Sequence, residues 1–211
     1  MNLRTLGDHT VVVDLLPEAP MVLDIGCRWF DFCKQMLAIR PKARILAFDP
    51  DTDIADPDIE GVVFAHCAIV GDHRGVSNYA KFSSGEGNFL FDNLPPDRAA
   101  VIPFANWRVP DAIVTQVACK NIGELIGPWD AVKLDCEGSE FDILEHWPAR
   151  FATQISVEFH DFTGPRYHAS NPGYYEQLVA RCLPGYRFLQ HELSKKGEGC
   201  GHWDSLLVLN D

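Results

Sequence analysis

A chain of 211 residues, 46% of them hydrophobic and 23% charged, has the size and balance of one folded α/β domain, not of two domains or a disordered segment. Acidic side chains outnumber basic ones 30 to 18, giving a formal net charge of −12 with no basic stripe to offset it, which argues against nucleic acid and anionic membranes as partners. The seven cysteines are odd in number and lack C-x-x-C spacing, and no apolar run has signal-peptide or membrane-spanning length, so the sequence predicts a cytoplasmic protein with buried thiols.

After a short leader, Met21 to Ile25 is an apolar run entered through Pro17 and Pro20, and it predicts a strand buried on both faces. A helix follows over 30–39, with Phe30, Cys33, Met36 and Leu37 apolar and Pro41 as its stop. Residues 44–49 give a second strand ending at Asp49-Pro50, and 62–70 a third closed by Gly71-Asp72. Strand, helix, strand at this spacing is a right-handed βαβ unit. Residues 72–120 carry Gly75, Gly85, Gly87, Pro95, Pro96, Pro103 and Pro110 and read as a loop-rich insertion or cap, with short strands at 76–82 and 113–117. The aromatic residues Phe82, Phe89, Phe91, Phe104 and Trp107 suit a lid or a satellite hydrophobic cluster, and residues 83–88 a polar tip. Then come a helical segment over 121–126, a strand over 130–134 ending at Asp135, a helix over 139–147, a strand over 155–159 ending at His160, and a helix over 172–183. Strands at 186–192 and 205–209 have no helix between them, which predicts an antiparallel edge pair. The expected fold is one α/β domain spanning 1–211, a doubly wound, mostly parallel Rossmann-like sheet with that C-terminal edge pair.

In such sheets ligands bind beyond the carboxyl ends of the strands, where strand order reverses. The strand-ending residues are Asp24, Gly26 and Cys27; Asp49 and Pro50; Cys67 and Ala68; Asp135 and Glu137; and Glu158 and His160. Gly26 allows a tight turn, Asp24 can accept a hydrogen bond or an amino-acid ammonium, and Asp49, some twenty residues on, is placed to bind ribose hydroxyls. These features describe an adenosine-containing cofactor. A dinucleotide would need several close-approach glycines for its pyrophosphate, and this turn has Arg28, Trp29 and Phe30 instead, so S-adenosylmethionine is the expected cofactor and a nucleotide-dependent oxidoreductase the lesser alternative.

The segment 22–27, Val-Leu-Asp-Ile-Gly-Cys, resembles motif I of class I methyltransferases. Residues 47–50 resemble the second strand of the FkbM family, and 132–140, Val-Lys-Leu-Asp-Cys-Glu-Gly-Ser-Glu, are similar to its K-I-D-x-E-G-x-E signature, continuing through Phe141 to Leu144; 155–160 is similar to the next strand. The resemblance covers about residues 21–160. It implies methyl transfer to an oxygen of a small-molecule or glycan-like acceptor, with Asp135 at the reacting end, His160 as the base, and Glu137 and Glu158 orienting it or binding substrate hydroxyls. Where the family motif carries a second glycine this chain has Phe30, whose ring is expected to crowd the cofactor; a non-catalytic cofactor-binding module is the alternative that follows. Asp135, Glu137, Glu158, His160 and Asp161, with Cys200 and His202 further on, are metal-ligand types without recognisable zinc spacing, and no metal is expected. The pattern says nothing of oligomeric state.

Overall fold

A computed structural model describes residues 1–72, 75–82, 88–90, 113–160, 173–193 and 202–210. Of the expected polar tip at 83–88 all but Asn88, together with the lid aromatics Phe91, Phe104 and Trp107, and Asp161 and Cys200, lie outside the described residues.

The chain opens with a hairpin, β1 (Leu3–Leu6) and β2 (His9–Val12), paired antiparallel around Gly7-Asp8, with Gly7 at φ +66° as a two-residue hairpin loop requires. This hairpin replaces the expected leader. Then follow β3 (Met21–Ile25), α1 (Asp31–Ile39), β4 (Arg44–Asp49), β5 (Val62–His66), β6 (Ala68–Val70), β7 (Val76–Lys81), β8 (Phe89–Leu90) and β9 (Ile113–Asn121). Beyond these lie β10 (Ala131–Leu134), α2 (Glu140–Glu145), β11 (Gln154–His160), α3 (Tyr174–Cys182), β12 (Tyr186–Leu193) and β13 (His202–Leu209).

Seven strands form one sheet in the order β12-β13-β11-β10-β3-β4-β5. Strands β11, β10, β3, β4 and β5 run parallel, and β13 joins β11 and β12 antiparallel, the edge pair expected from the sequence. Among the described residues no helix is long and apolar enough to cross a membrane.

The run 62–70 is not one strand. β5 closes the edge of the large sheet, the chain breaks at Cys67, whose N–H donates to the Asp49 carbonyl at 3.2 Å, and β6 enters a second sheet of order β6-β9-β7-β8. β9 is longer than expected, because Ile113 to Ala118 pair with β7 and the last residues, Cys119 to Asn121, pair with β6.

Register sorts the two faces of the large sheet. Leu23 and Ile25, Val132 and Leu134, and Ile155 and Val157 share a core with Phe141, Leu144 and Phe159. The opposite face is covered by α1 and the hairpin, where Val22, Ile45 and Ala131 pack on Leu6, Val11 and Met36. On that second face Lys133 lies in register between Asp24 and Ser156, all three buried. Burying such groups is costly unless each finds a partner, so their contacts define the site.

Candidate functional site

Strand order reverses between β3 and β10, and their tips are clamped together. The Asp135 N–H donates to the Ile25 carbonyl (3.0 Å), while Gly26 and Cys27 both donate to the Phe48 carbonyl (2.8 and 3.2 Å). Gly26 sits at φ +84°, and a Cβ there would lie 1.7 Å from the Asp135 carbonyl oxygen. Gly26 is therefore the residue that lets two strand tips touch. The Gly26 and Cys27 amides are engaged within the protein and position the loop.

Asp24 is fully buried. Lys133 Nζ stands 3.2 Å from its Oδ1, the Cys33 thiol donates to Oδ2 at 3.1 Å, and Lys133 also donates to the Gly26 carbonyl. Asp24 thus holds Lys133 beneath the surface, where the sequence suggested a ligand contact. Lys133 reaches Asp135 Oδ2 as well, at 3.4 Å. Burial alone would push the ammonium down, but Asp24 and Asp135 hold it well above the ordinary lysine range. Burial likewise disfavours the Asp135 anion, and Lys133 and His9 outweigh it and hold its carboxyl well below the usual carboxylate range. His9 brings Nε2 to 3.4 Å from Asp135 Oδ2, with its Nδ1 3.2 Å from Ser156 Oγ.

The loop after Asp135 folds around Glu140. The fully buried Glu140 carboxylate accepts the Cys136 N–H at 2.6 Å and the Gly138 N–H at 2.9 Å, and it meets His160 Nδ1 at 3.0 Å. This turn places Glu137 in the left-handed region at φ +51°, a conformation that costs a non-glycine residue roughly 1–2 kcal/mol. Such strain persists where surrounding contacts fix it, often at functional sites. His160 Nε2 lies 3.5 Å from Glu137 Oε2 and 3.8 Å from Asp135 Oδ1. Burial would keep this imidazole neutral, but Glu137 and Glu140 hold it well above the usual histidine range. Glu137 itself is pushed up to about 7 by burial, with His160 opposing and Asp135, Glu140 and Glu158 adding to the rise. His160 is a cation among carboxylates, which does not suit the free base expected from the sequence.

At the tip of β4, Asp49 is buried and its Oδ1 accepts the Asp51 N–H at 2.9 Å; among the described residues no donor reaches Oδ2. Burial raises Asp49 to about 6 against the lowering effects of the Asp51 amide, Lys133 and Arg28. Asp51 ties the neighbouring loops together, meeting Arg28 at 3.0 Å and Lys81 at 2.6 Å. Pro50 and the Cys67-Ala68 crossover border the same tip. Between the loops after β3 and β4 opens a crevice of about 590 Å³ lined by Arg28, Trp29, Phe30, Asp51, Lys81 and Phe82 among others, a volume typical of small-molecule sites.

Phe30 does not fill that crevice. Its ring is 6% exposed and packs edge-on against Phe64 at 5.1 Å, so it forms one wall and joins the core under α1. Its backbone, at φ +57°, has the conformation that favours glycine. Phe30→Gly is expected to relieve roughly 1–2 kcal/mol of backbone strain and lose about 3–5 kcal/mol of ring packing. A net loss of about 1–4 kcal/mol should appear in the urea midpoint; a stabilised variant would contradict the packing of this ring against Phe64.

The structure thus brings Asp135, Glu137, His160 and Asp49 to one carboxyl edge, with polar atoms of Glu158 and His9 within 4.8 Å of Asp135. Sequence reasoning missed His9, Asp51, Glu140 as the loop's anchor, and Lys81. For His9 a signal existed, since Gly7-Asp8 between two short alternating segments marks a hairpin.

Neither a family profile nor a curated protein matches the sequence. Among solved structures the chain is similar to the fibrillarin pre-rRNA processing protein of Methanococcus jannaschii, at 11% identity, covering 99% of this chain and 82% of that one with a TM-score of 0.53. It is also similar to a chain of a fibrillarin/Nop5p complex, at 9% identity, covering 92% and 74% with a TM-score of 0.50. At such identities the likeness is one of fold: the chain shares with these proteins a Rossmann-like α/β fold on a mostly parallel sheet.

Proposed function

We propose that this chain is an S-adenosylmethionine-dependent methyltransferase acting on an oxygen of a small, hydroxylated or sugar-like acceptor. The observation that carries the reading is the meeting of the Gly26, Asp49 and Asp135 tips at the reversal of strand order, beside a crevice with no phosphate-binding turn. The glycine that a pyrophosphate would approach is already filled by the Asp135 carbonyl, which disfavours a dinucleotide and suits a cofactor without phosphate. The most specific part of the FkbM resemblance is residues 132–144, the stretch that builds the Asp135 loop and α2.

S-adenosylmethionine supplies an electrophilic methyl group on a sulfonium sulfur. Asp49 Oδ2 would accept a ribose hydroxyl of the cofactor, and Pro50, Cys67 and Ala68 are the residues that would border its adenosyl group. Lys133 and Asp24 hold the Asp135 loop in place from below. Asp135 and Glu137 each keep 27% of their side chain exposed, whereas His160 keeps 2%, so the two carboxylates are the groups able to touch an acceptor. Glu137 takes the acceptor proton, and His160 and Glu140 position it. Methyl transfer is chiefly a matter of alignment and water exclusion, with base assistance contributing about 10²–10⁴-fold. The acidic site and the net charge of −12 favour neutral or cationic acceptors over phosphate-bearing ones, and we place the protein in the cytoplasm on its cysteine usage. With Phe30 packed into the wall, a catalytic role is favoured over a purely binding one.

Calorimetry with S-adenosylmethionine, S-adenosylhomocysteine and NAD, followed by labelled-methyl transfer to a panel of hydroxylated acceptors, tests the reading. Binding of the first two without NAD is expected; absence of S-adenosylhomocysteine binding would overturn it. Asp49→Ala is expected to weaken cofactor binding by about 1.5–3 kcal/mol, and unchanged affinity would remove Asp49 from the site. The Asp49 carboxyl lies among Asp51, Arg28, Lys133 and Tyr79 and, raised to about 6, is mostly protonated at pH 5. Since the ionised form is the better ribose acceptor, affinity should climb from pH 5 to pH 7 and level off above, a rise that Asp49→Asn should flatten.

A further inference from the structure

Resting on that reading, we propose that His9, Asp135 and Glu158 form a site for a divalent cation of the Mn²⁺ type, which draws the acceptor hydroxyl to the methyl donor. His9 Nε2 or Nδ1 and one carboxylate oxygen each from Asp135 and Glu158 lie within 4.8 Å of one another. Donors about 2.1 Å from a shared ion sit roughly 3–4 Å apart, so only a small closing movement separates this arrangement from coordination.

The three residues come from three different elements, and the fold explains why they meet. Strand β11 alternates, so Gln154, Ser156 and Glu158 share the face covered by the hairpin. Gln154 meets that hairpin directly, accepting the Val12 N–H at 2.7 Å and donating to the Val12 carbonyl at 3.2 Å. This contact seats β2 across the sheet, and Ser156 Oγ then lies 3.2 Å from His9 Nδ1. The imidazole, 4% exposed, is left with Nε2 toward Asp135. A ring oriented through its second nitrogen by a neighbouring oxygen is the usual support of a metal-bound histidine.

The charge pattern across the sheet points the same way from independent registers. Glu158 stands directly opposite Asp204, and Asp204 opposite Glu192. Asp135, one residue beyond the Leu134–Val157 pair at the tip of β10, extends the row that Glu158, Asp204 and Glu192 form on three strands. Like charges directly opposite one another repel, and such a row gains from any cation seated on it. Lys133, anchored between Asp24 and the Gly26 carbonyl, reaches the inner end of this row at Asp135 Oδ2, 3.4 Å away. Two carboxylates and one imidazole suit Mn²⁺ better than Mg²⁺, which favours an all-oxygen shell, and three protein donors leave coordination positions for an acceptor oxygen. Bound there, a hydroxyl would lose its proton more readily, with Glu137 as the proton acceptor proposed above.

The expectation of no metal came from spacing along the chain between residues 135 and 202, and His9 precedes all of it. The test is Mn²⁺ alone, titrated into the whole chain and followed by electron paramagnetic resonance and calorimetry, with wild type, His9→Ala and Glu158→Gln compared and folding checked by thermal melts. One Mn²⁺ per chain, weakened at least ~10-fold in each folded variant, is expected. Lack of stoichiometric binding to wild type, or binding that survives both substitutions, overturns the site; if His9→Ala does not fold, Glu158→Gln decides. Mn²⁺ binding without S-adenosylhomocysteine binding would sink the methyltransferase reading and spare the cation site, and the reverse result would do the opposite.

Discussion

Lys133→Met is expected to lower the unfolding free energy by about 3–5 kcal/mol, read as a drop in the urea midpoint at unchanged slope. The substitution keeps the volume and the apolar stem, so the loss isolates the ammonium. That group is the shared partner of two carboxylates, Asp24 at 3.2 Å and Asp135 at 3.4 Å, and of the Gly26 carbonyl. Removing it leaves the Asp24 carboxyl at zero exposure with, among the described residues, the Cys33 thiol as its remaining hydrogen-bond donor. The sign with pH follows. Asp135 in the wild type is held below its unfolded value, so its contribution is present above about pH 4 and fades as pH falls. In the variant Asp135 has lost the ammonium that held its carboxyl low, so its protonation costs less there than in the wild type. The deficit relative to wild type should therefore shrink on going from pH 8 to pH 5. Adding Asp24→Asn should recover part of the stability, since the two residues form one unit and their effects do not add. A deficit under 1 kcal/mol, or one equal at both pH values, would mean that the buried network is not held as described.

The same network shows what a single sequence discloses and what it hides. Buried parallel strands are continuous apolar runs with a polar residue at the exit, so the tips at Asp24, Asp49 and Asp135 stand out without a structure. The pairing between strands does not. Lys133 matters because it lies in register with Asp24 on one side and Ser156 on the other, and nothing within 131–134 reveals its neighbours. Asp24 looked like a ligand contact for the same reason. The break at Cys67 is silent because 62–70 is apolar throughout, and a strand that changes sheets has the same periodicity as one that does not. His160 looked like a neutral base because its own chemistry suggests one; only the convergence of Glu137, Glu140 and Asp135 on its two nitrogens makes it a cation. His9 was lost with the hairpin, whose eight paired residues are too few for a hydrophobic pattern and whose Gly7-Asp8 turn was the one available mark.

The largest effect on the site itself is expected from Gly26→Ala. Two costs act together: the backbone at φ +84° disfavours any side chain by roughly 1–2 kcal/mol, and the added methyl would sit 1.7 Å from the Asp135 carbonyl oxygen, with the Asp135 carbonyl carbon at 2.7 Å. The obstructing atoms are backbone, so no rotamer change relieves them, and overpacking of this kind adds about 1–3 kcal/mol or more. We expect a total of at least about 3 kcal/mol, together with a loss of more than ~10-fold in S-adenosylhomocysteine affinity, because the Asp135 loop must move for the alanine to fit. Gly75 supplies the control. It has a similar dihedral, φ +71°, but a Cβ there meets nothing within 4 Å, so Gly75→Ala reports the backbone cost alone, about 1–2 kcal/mol, with cofactor affinity unchanged. The difference between the two alanines measures how tightly the tips of β3 and β10 are clamped. If Gly26→Ala proves no costlier than Gly75→Ala in melts and calorimetry, the tips are not in contact, and the juxtaposition on which the cofactor site depends is lost with it.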